Sequence, residues 1–340
     1  MKNKFPSKIT LLILFLAVVP FFSINAQVRR DTIIQWKTVR EVIELQRTAP
    51  RPVMIVFYLP GHDSSMLMFD NVFTKRELVK YLNPRFYSVK IDVSDTSVLW
   101  FDNKVHHITD TSHYNNIANK VLGNEMKFPS LLMMNKENTG IVFKGFRSRY
   151  EMRSVLAYIA EEVDKTTPYN SWFQAYQVAY PSINLAQNPE TPIEWLSLEK
   201  ALELQKKDPK ILFITWYARL NIGSQVMVFN AFAHPRIRDY MKKHFYCVRL
   251  DAQTDDTLFF KNQYVNPMKE DRFHDLAVFQ LENNMKFPSH VFYDRYKKLI
   301  FRQQSYLSTI NFYALVNYIG SGTYKTKGLK DFIKTFKPDL

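Results

Sequence analysis

The chain has 340 residues, 46% apolar and 23% charged, and its 46 Lys and Arg against 32 Asp and Glu give a formal charge of +14. That composition excludes a disordered, collagen-like or coiled-coil chain and leaves room for two domains, each with its own core. Eight glycines, none in a G-x-G-x-x-G or G-x-x-x-x-G-K-[ST] pattern, exclude a nucleotide-phosphate cradle. The single cysteine, Cys247, excludes an intrachain disulfide, a Cys-x-x-Cys pair and a multi-cysteine zinc site.

Residues 1–26 read as a secretory signal: Lys2, Lys4 and Lys8 precede an apolar run from Ile9 to Phe22, and Ser23-Ile24-Asn25-Ala26 ends on a small residue. Cleavage after Ala26 predicts an exported, periplasmic chain. Without those three lysines the charge is 14 − 3 = +11. No later run reaches the roughly 18 apolar residues of a membrane span.

Helical spacing around Trp36, Val39, Val42, Ile43 and Gln46 predicts a first helix, which Pro50 and Pro52 stop. Residues 53–58, all apolar or aromatic, predict a buried strand. A polar loop follows, then a helix over 65–82, a strand over 86–93, an irregular segment, and a short helix over 115–122. Strands over 131–134 and 141–146 and a helix over 149–162 complete the set, and an aromatic helix with Trp172 and Tyr176 trails it. The order α-β-α-β-α-β-β-α predicts an α/β fold with a central mixed sheet flanked by helices.

The same pattern recurs 159 residues on, the distance from Trp36 to Trp195. Glu44-Leu45-Gln46 falls on Glu203-Leu204-Gln205, Tyr58 on Tyr217, Phe73 on Phe232, Phe86-Tyr87 on Phe245-Tyr246 and Asp92 on Asp251. Met126-Lys127-Phe128-Pro129-Ser130 repeats as Met285-Lys286-Phe287-Pro288-Ser289. The predicted division is therefore a signal over 1–26, a domain over 27–183, a linker over 184–190 and a second domain over 191–340.

The element order, the loop before the second helix and the Lys-Phe-Pro-Ser leading into a strand resemble the thioredoxin-like superfamily. The likeness is to an exported bacterial branch, through Val72-Phe73, Glu77, Tyr81-Leu82-Asn83, Phe86, Val89-Lys90 and Asp92, and again through Phe232, Tyr240, Phe245, Val248 and Asp251. The resemblance implies two tandem thioredoxin-like domains, with cis prolines at Pro129 and Pro288. It also places the family's two cysteines at His62 and Ser65 in the first repeat and at Asn221 and Ser224 in the second. All four are other residues, and dithiol exchange needs an attacking and a resolving sulfur.

The function this suggests is a redox-inactive binding or scaffolding protein of the cell envelope, with no cofactor, nucleotide or nucleic acid and no assigned catalytic or metal residue. In active members the backbone before the proline pairs with an extended peptide, a form of strand addition. The partner-binding set is accordingly Gly61, His62, Asp63, Ser64, Ser65, Phe128 and Pro129, with Asn221, Ser224, Phe287 and Pro288 in the second repeat. The expected partner is an envelope protein or an extended peptide. A weak membrane-surface contact is open to the basic C-terminal end, where Lys325, Lys327, Lys330, Lys334 and Lys337 flank apolar residues. That end is expected to pack on its own domain.

Three other readings stay open. His62, at a helix start beside Asp63, Ser64 and Ser65, has the residue types of general base chemistry, although helix capping accounts for the same residues. His106, His107 and His113, with Asp110, have a spacing open to a divalent metal, though repeat two lacks their counterparts. The chain also fits a thiol-disulfide protein that has lost its cysteines.

Overall fold

The computed structural model describes residues 33–95, 99–101, 104–106, 114–181, 193–265 and 273–340. The signal over 1–26, the linker over 184–190, and His107, Asp110 and His113 lie outside the described residues.

The first unit opens with β1 (Trp36–Lys37). Thr38 then starts α1 (Val39–Thr48) through a capping box, its Oγ1 accepting from the Glu41 N–H while the Glu41 carboxylate takes the Thr38 N–H. Trp36, expected in the helix, therefore lies in a strand. β2 (Val53–Tyr58) is followed by α2 (Asp63–Asn71) and α3 (Arg76–Leu82), where a single helix over 65–82 was expected. Between them the Thr74 hydroxyl donates to the Asp70 carbonyl and the Lys75 N–H to that of Val72, turning the chain. The unit continues through β3 (Tyr87–Asp92), the hairpin β4 (Leu99–Phe101) and β5 (Lys104–His106), α4 (Asn116–Leu122), β6 (Ser130–Met134), β7 (Gly140–Lys144) and α5 (Arg149–Ala160). The hairpin occupies part of the segment read as irregular.

The five-stranded sheet has the order β1-β3-β2-β6-β7, with β1, β3 and β2 parallel and β6 and β7 antiparallel to their neighbours. Val53, Ile55 and Phe57 face a core with Val42 of α1 and Ile117 and Leu122 of α4, while Met54 and Val56 are buried between them in the chain. Burial on both faces is why β2 reads as an unbroken apolar run rather than an alternating one.

Two compact units divide the chain between Arg153 and Ser154, inside α5. The second unit includes α6 (Tyr169–Ala179), whose Trp172 and Tyr176 are fully buried. The Trp172 ring meets Tyr306 edge-on at 5.1 Å, and Asn230 donates to the Ala175 carbonyl. The second unit goes on through α7 (Leu198–Lys207), β8 (Ile211–Tyr217), α8 (Ile222–Phe229), α9 (Pro235–His244), β9 (Phe245–Asp251), the hairpin β10 (Leu258–Phe260) and β11 (Gln263–Val265), and α10 (Asp275–Leu281). It ends with β12 (Ser289–Tyr293), β13 (Leu299–Gln304), α11 (Thr309–Gly320) and α12 (Leu329–Thr335). Its sheet order is β13-β12-β8-β9, again with a parallel β8/β9 pair and antiparallel β12 and β13.

The counterpart of β1 survives only as a bridge between Leu196 and Val248, 159 residues beyond the Lys37 and Val89 pair. As expected, α12 packs on its own unit, Phe332 against Tyr318 and Phe336 against Tyr313.

Candidate functional site

The ladder sets the site. In the first unit Phe57 of β2 lies opposite Ser130 of β6, so the chain leaves β2 at the same end of the sheet where Phe128-Pro129 enters β6. Gly61 turns the chain there with φ +76°, a backbone that favours glycine. His62 is the N-cap of α2 but makes no side-chain cap bond, and Asp63 places a carboxylate in the first turn. The capping expected of Asp63, Ser64 and Ser65 takes another form, since the buried Ser65 hydroxyl instead accepts the Leu59 N–H at 3.4 Å. Gly61, His62 and Asp63 are exposed and Ser64 is half-buried. Among the described residues, none accepts a hydrogen bond from the Asp63 or Ser64 N–H.

Phe128 is in the core beside Tyr114, and the peptide bond to Pro129 is cis, as is Phe287-Pro288. The side chains of Ser65, Phe128, Ser224 and Phe287 are buried, so only their backbone is left to meet a partner.

At the second edge Trp216 of β8 lies opposite Ser289 of β12, and Asn221 caps α8, its Oδ1 accepting the Ser224 N–H at 2.6 Å. The two preceding N–H groups, of Ile222 and Gly223, donate to the two carboxylate oxygens of Glu161 at 2.9 and 2.7 Å. A Cβ on Gly223 would stand 3.2 Å from Glu161 Oε2, 3.4 Å from Tyr306 Cβ and 3.5 Å from Pro288 Cδ, so glycine alone fits without a neighbour giving way.

The neighbouring Glu162 carboxylate takes Lys286 at 2.6 Å and Lys165 at 3.0 Å. Burial alone would raise its pKa, but the hydrogen bonds and positive charges of Lys286 and Lys165 together outweigh it and hold the carboxyl below its ordinary range. Ser305 Oγ donates to the carbonyls of Glu161 and Glu162, and Thr166 Oγ1 donates to that of Tyr306. The second proline edge is thus filled by residues 161–166 of the same chain.

Sequence reasoning missed Glu161 and Tyr306. Gly223 was the available signal: a glycine in the first turn of a helix, in a chain with few glycines, marks a close approach.

The remaining candidates are dispersed. Cys247 is buried in β9 opposite Phe213, and desolvation pushes its thiol pKa up, the reverse of what a reactive thiolate needs. No described cluster of three or more His, Cys, Asp or Glu side chains could hold a metal ion.

Strand order, mixed strand directions and a cis proline entering the antiparallel strand give each unit a thioredoxin-like α/β fold. No family model matches the chain, and no curated protein matches it. Among solved structures, the chain is similar to the DsbH oxidoreductase at 18% identity, covering 43% of this chain and 96% of that one, TM-score 0.30. It is also similar to a thioredoxin-fold protein from Helicobacter pylori at 19% identity, covering 46% and 96%, TM-score 0.30. A likeness to ERdj5 at 12% identity covers 90% of this chain and 32% of that one, TM-score 0.29. At such identities and TM-scores these likenesses say nothing of activity, and the fold stands on the topology above.

Proposed function

We propose that the chain is a redox-inactive binding protein of the cell envelope, exported and cut after Ala26, that holds an extended segment of a partner at its first proline edge. The observation that carries this reading is the difference between the two edges. Residues 161–166 of the chain fill the second, while Gly61, His62 and Asp63 stand exposed at the first, beside two N–H groups that no described residue takes. Dithiol exchange is outside this reading, because the chain has one cysteine and it is buried. His62 and Asp63 give the edge a hydrogen-bonding and charged character that a plain cap would lack, and Gly61 leaves room for a partner's backbone.

Site-specific photo-crosslinking in cells tests the assignment. With a photoreactive residue in place of His62, the exported chain is expected to form a discrete adduct on irradiation. One in place of Asn221 is expected to form none. Adducts from position 221 and none from 62 would overturn the choice of edge, and adducts only from a photoreactive residue at Lys330 would move the interaction to the basic end.

A further inference from the structure

Helix α8 starts with N–H groups that its own turns cannot satisfy, and it has no acidic residue in its first turn, whereas α2 carries Asp63 there. Two carboxylate oxygens on two successive N–H groups is the arrangement by which a helix start receives an anion from outside. Glu161 is 61 residues from Ile222 in sequence, so it is a visitor to this helix and not a local cap.

The surroundings fit the visitor. Gly223 supplies the space that the carboxylate and the Tyr306 side chain occupy, Pro288 forms the opposite wall, and Lys286, two residues before that proline, pairs with the adjacent Glu162. None of these features is explained by capping alone, which Asn221 already provides through the Ser224 N–H.

We propose that Glu161 is an internal ligand: the second proline edge is a carboxylate-receiving site, and residues 161–166 are a strap that fills it and closes that edge to other chains. The site takes its ligand through the Ile222 and Gly223 N–H groups, so the class it accepts is a carboxylate, from an acidic side chain or a chain terminus. This inference does not rest on the first edge being a binding site, since it concerns α8 and its own occupant.

Amide hydrogen exchange on the full chain tests it, with sodium acetate as the probe. Replacing Glu161 by alanine is expected to speed exchange at Ile222 and Gly223 by at least about tenfold, since each loses a charge-assisted bond. Acetate should then slow those two amides again in a saturable way, while sodium chloride or acetamide at the same concentration should not. Unchanged exchange in Glu161→Ala, or equal rescue by acetamide, would overturn the proposal. If the alanine variant does not fold, Glu161→Gln decides. It keeps the shape and one acceptor, so exchange at Ile222 or Gly223 should exceed that of the native chain while Ser224, held by Asn221, is unaffected. Native rates at all three amides would contradict the strap.

Discussion

Trp172→Ala is expected to destabilise the second unit by about 3–5 kcal/mol, the scale of deleting a buried tryptophan and leaving its cavity. Trp172 has no exposed surface, its indole N–H donates to the Ser154 carbonyl at 3.1 Å, and its ring packs edge-on against Tyr306, whose Cβ lines the space at Gly223. Removing it leaves a buried carbonyl short of a donor as well as a void. The half-buried Phe173 on the same helix serves as control, with an expected loss nearer 1 kcal/mol. Urea unfolding, followed in the transition to which the second unit contributes, measures both. A cost below about 1 kcal/mol for Trp172→Ala would mean that α6 is not part of that unit's core.

The second large effect concerns acid. Val56 and Leu131 face each other across β2 and β6, and at the same register in the second unit stand Thr215 and His290. His290 is fully buried among Phe213, Phe232 and Phe312, its Nδ1 is 3.1 Å from Thr215 Oγ1, and its Nε2 has no partner. Desolvation pushes its pKa down to about 3.

The folded value lies below the unfolded one, so the unfolded chain binds the proton first. Stability is therefore full above pH ~6.5 and falls by about 1.4 kcal/mol per pH unit from there down to the folded pKa. Grafting the first unit's pair as Thr215→Val with His290→Leu removes both polar partners together. At pH 7 the double variant is expected to lie within about 1 kcal/mol of the native chain, and at pH 5 to exceed it by about 2 kcal/mol. Denaturant titrations at the two pH values, taken as the difference between variant and native chain, isolate this group from the carboxylates. A difference that does not change with pH would show that His290 is not held neutral by the fold.

Much of the architecture was legible because apolar runs and repeated residues report burial directly. β2 was readable from an unbroken apolar stretch, β8 from its place in the 159-residue repeat, and the proline edges from the duplicated Lys-Phe-Pro-Ser. What escaped was decided by short-range competition: the Thr38 and Glu41 capping box pulls the helix start past Trp36, and the Thr74 hydroxyl breaks the helix expected over 65–82.

The partners of α6 escaped for another reason. Trp172 and Tyr176 announce that α6 must be buried, but periodicity does not say against what, and Tyr306 lies 134 residues further on than Trp172. The same holds for the candidate site. His62 and Asp63 stand where the loop pattern put them, while the occupant of the second edge depends on Glu161, which has Ser321 as its counterpart in the shifted repeat and so left no trace in the duplication.

One edge is closed by its own chain and the other is left open, and amide exchange in the unmodified chain reads both at once. After correction for intrinsic rates, Ile222 and Gly223 are predicted to exchange at least about tenfold more slowly than Asp63 and Ser64, because only the first pair has an acceptor among the described residues. Equal protection at the two pairs would contradict the account, since the first edge would then be as closed as the second.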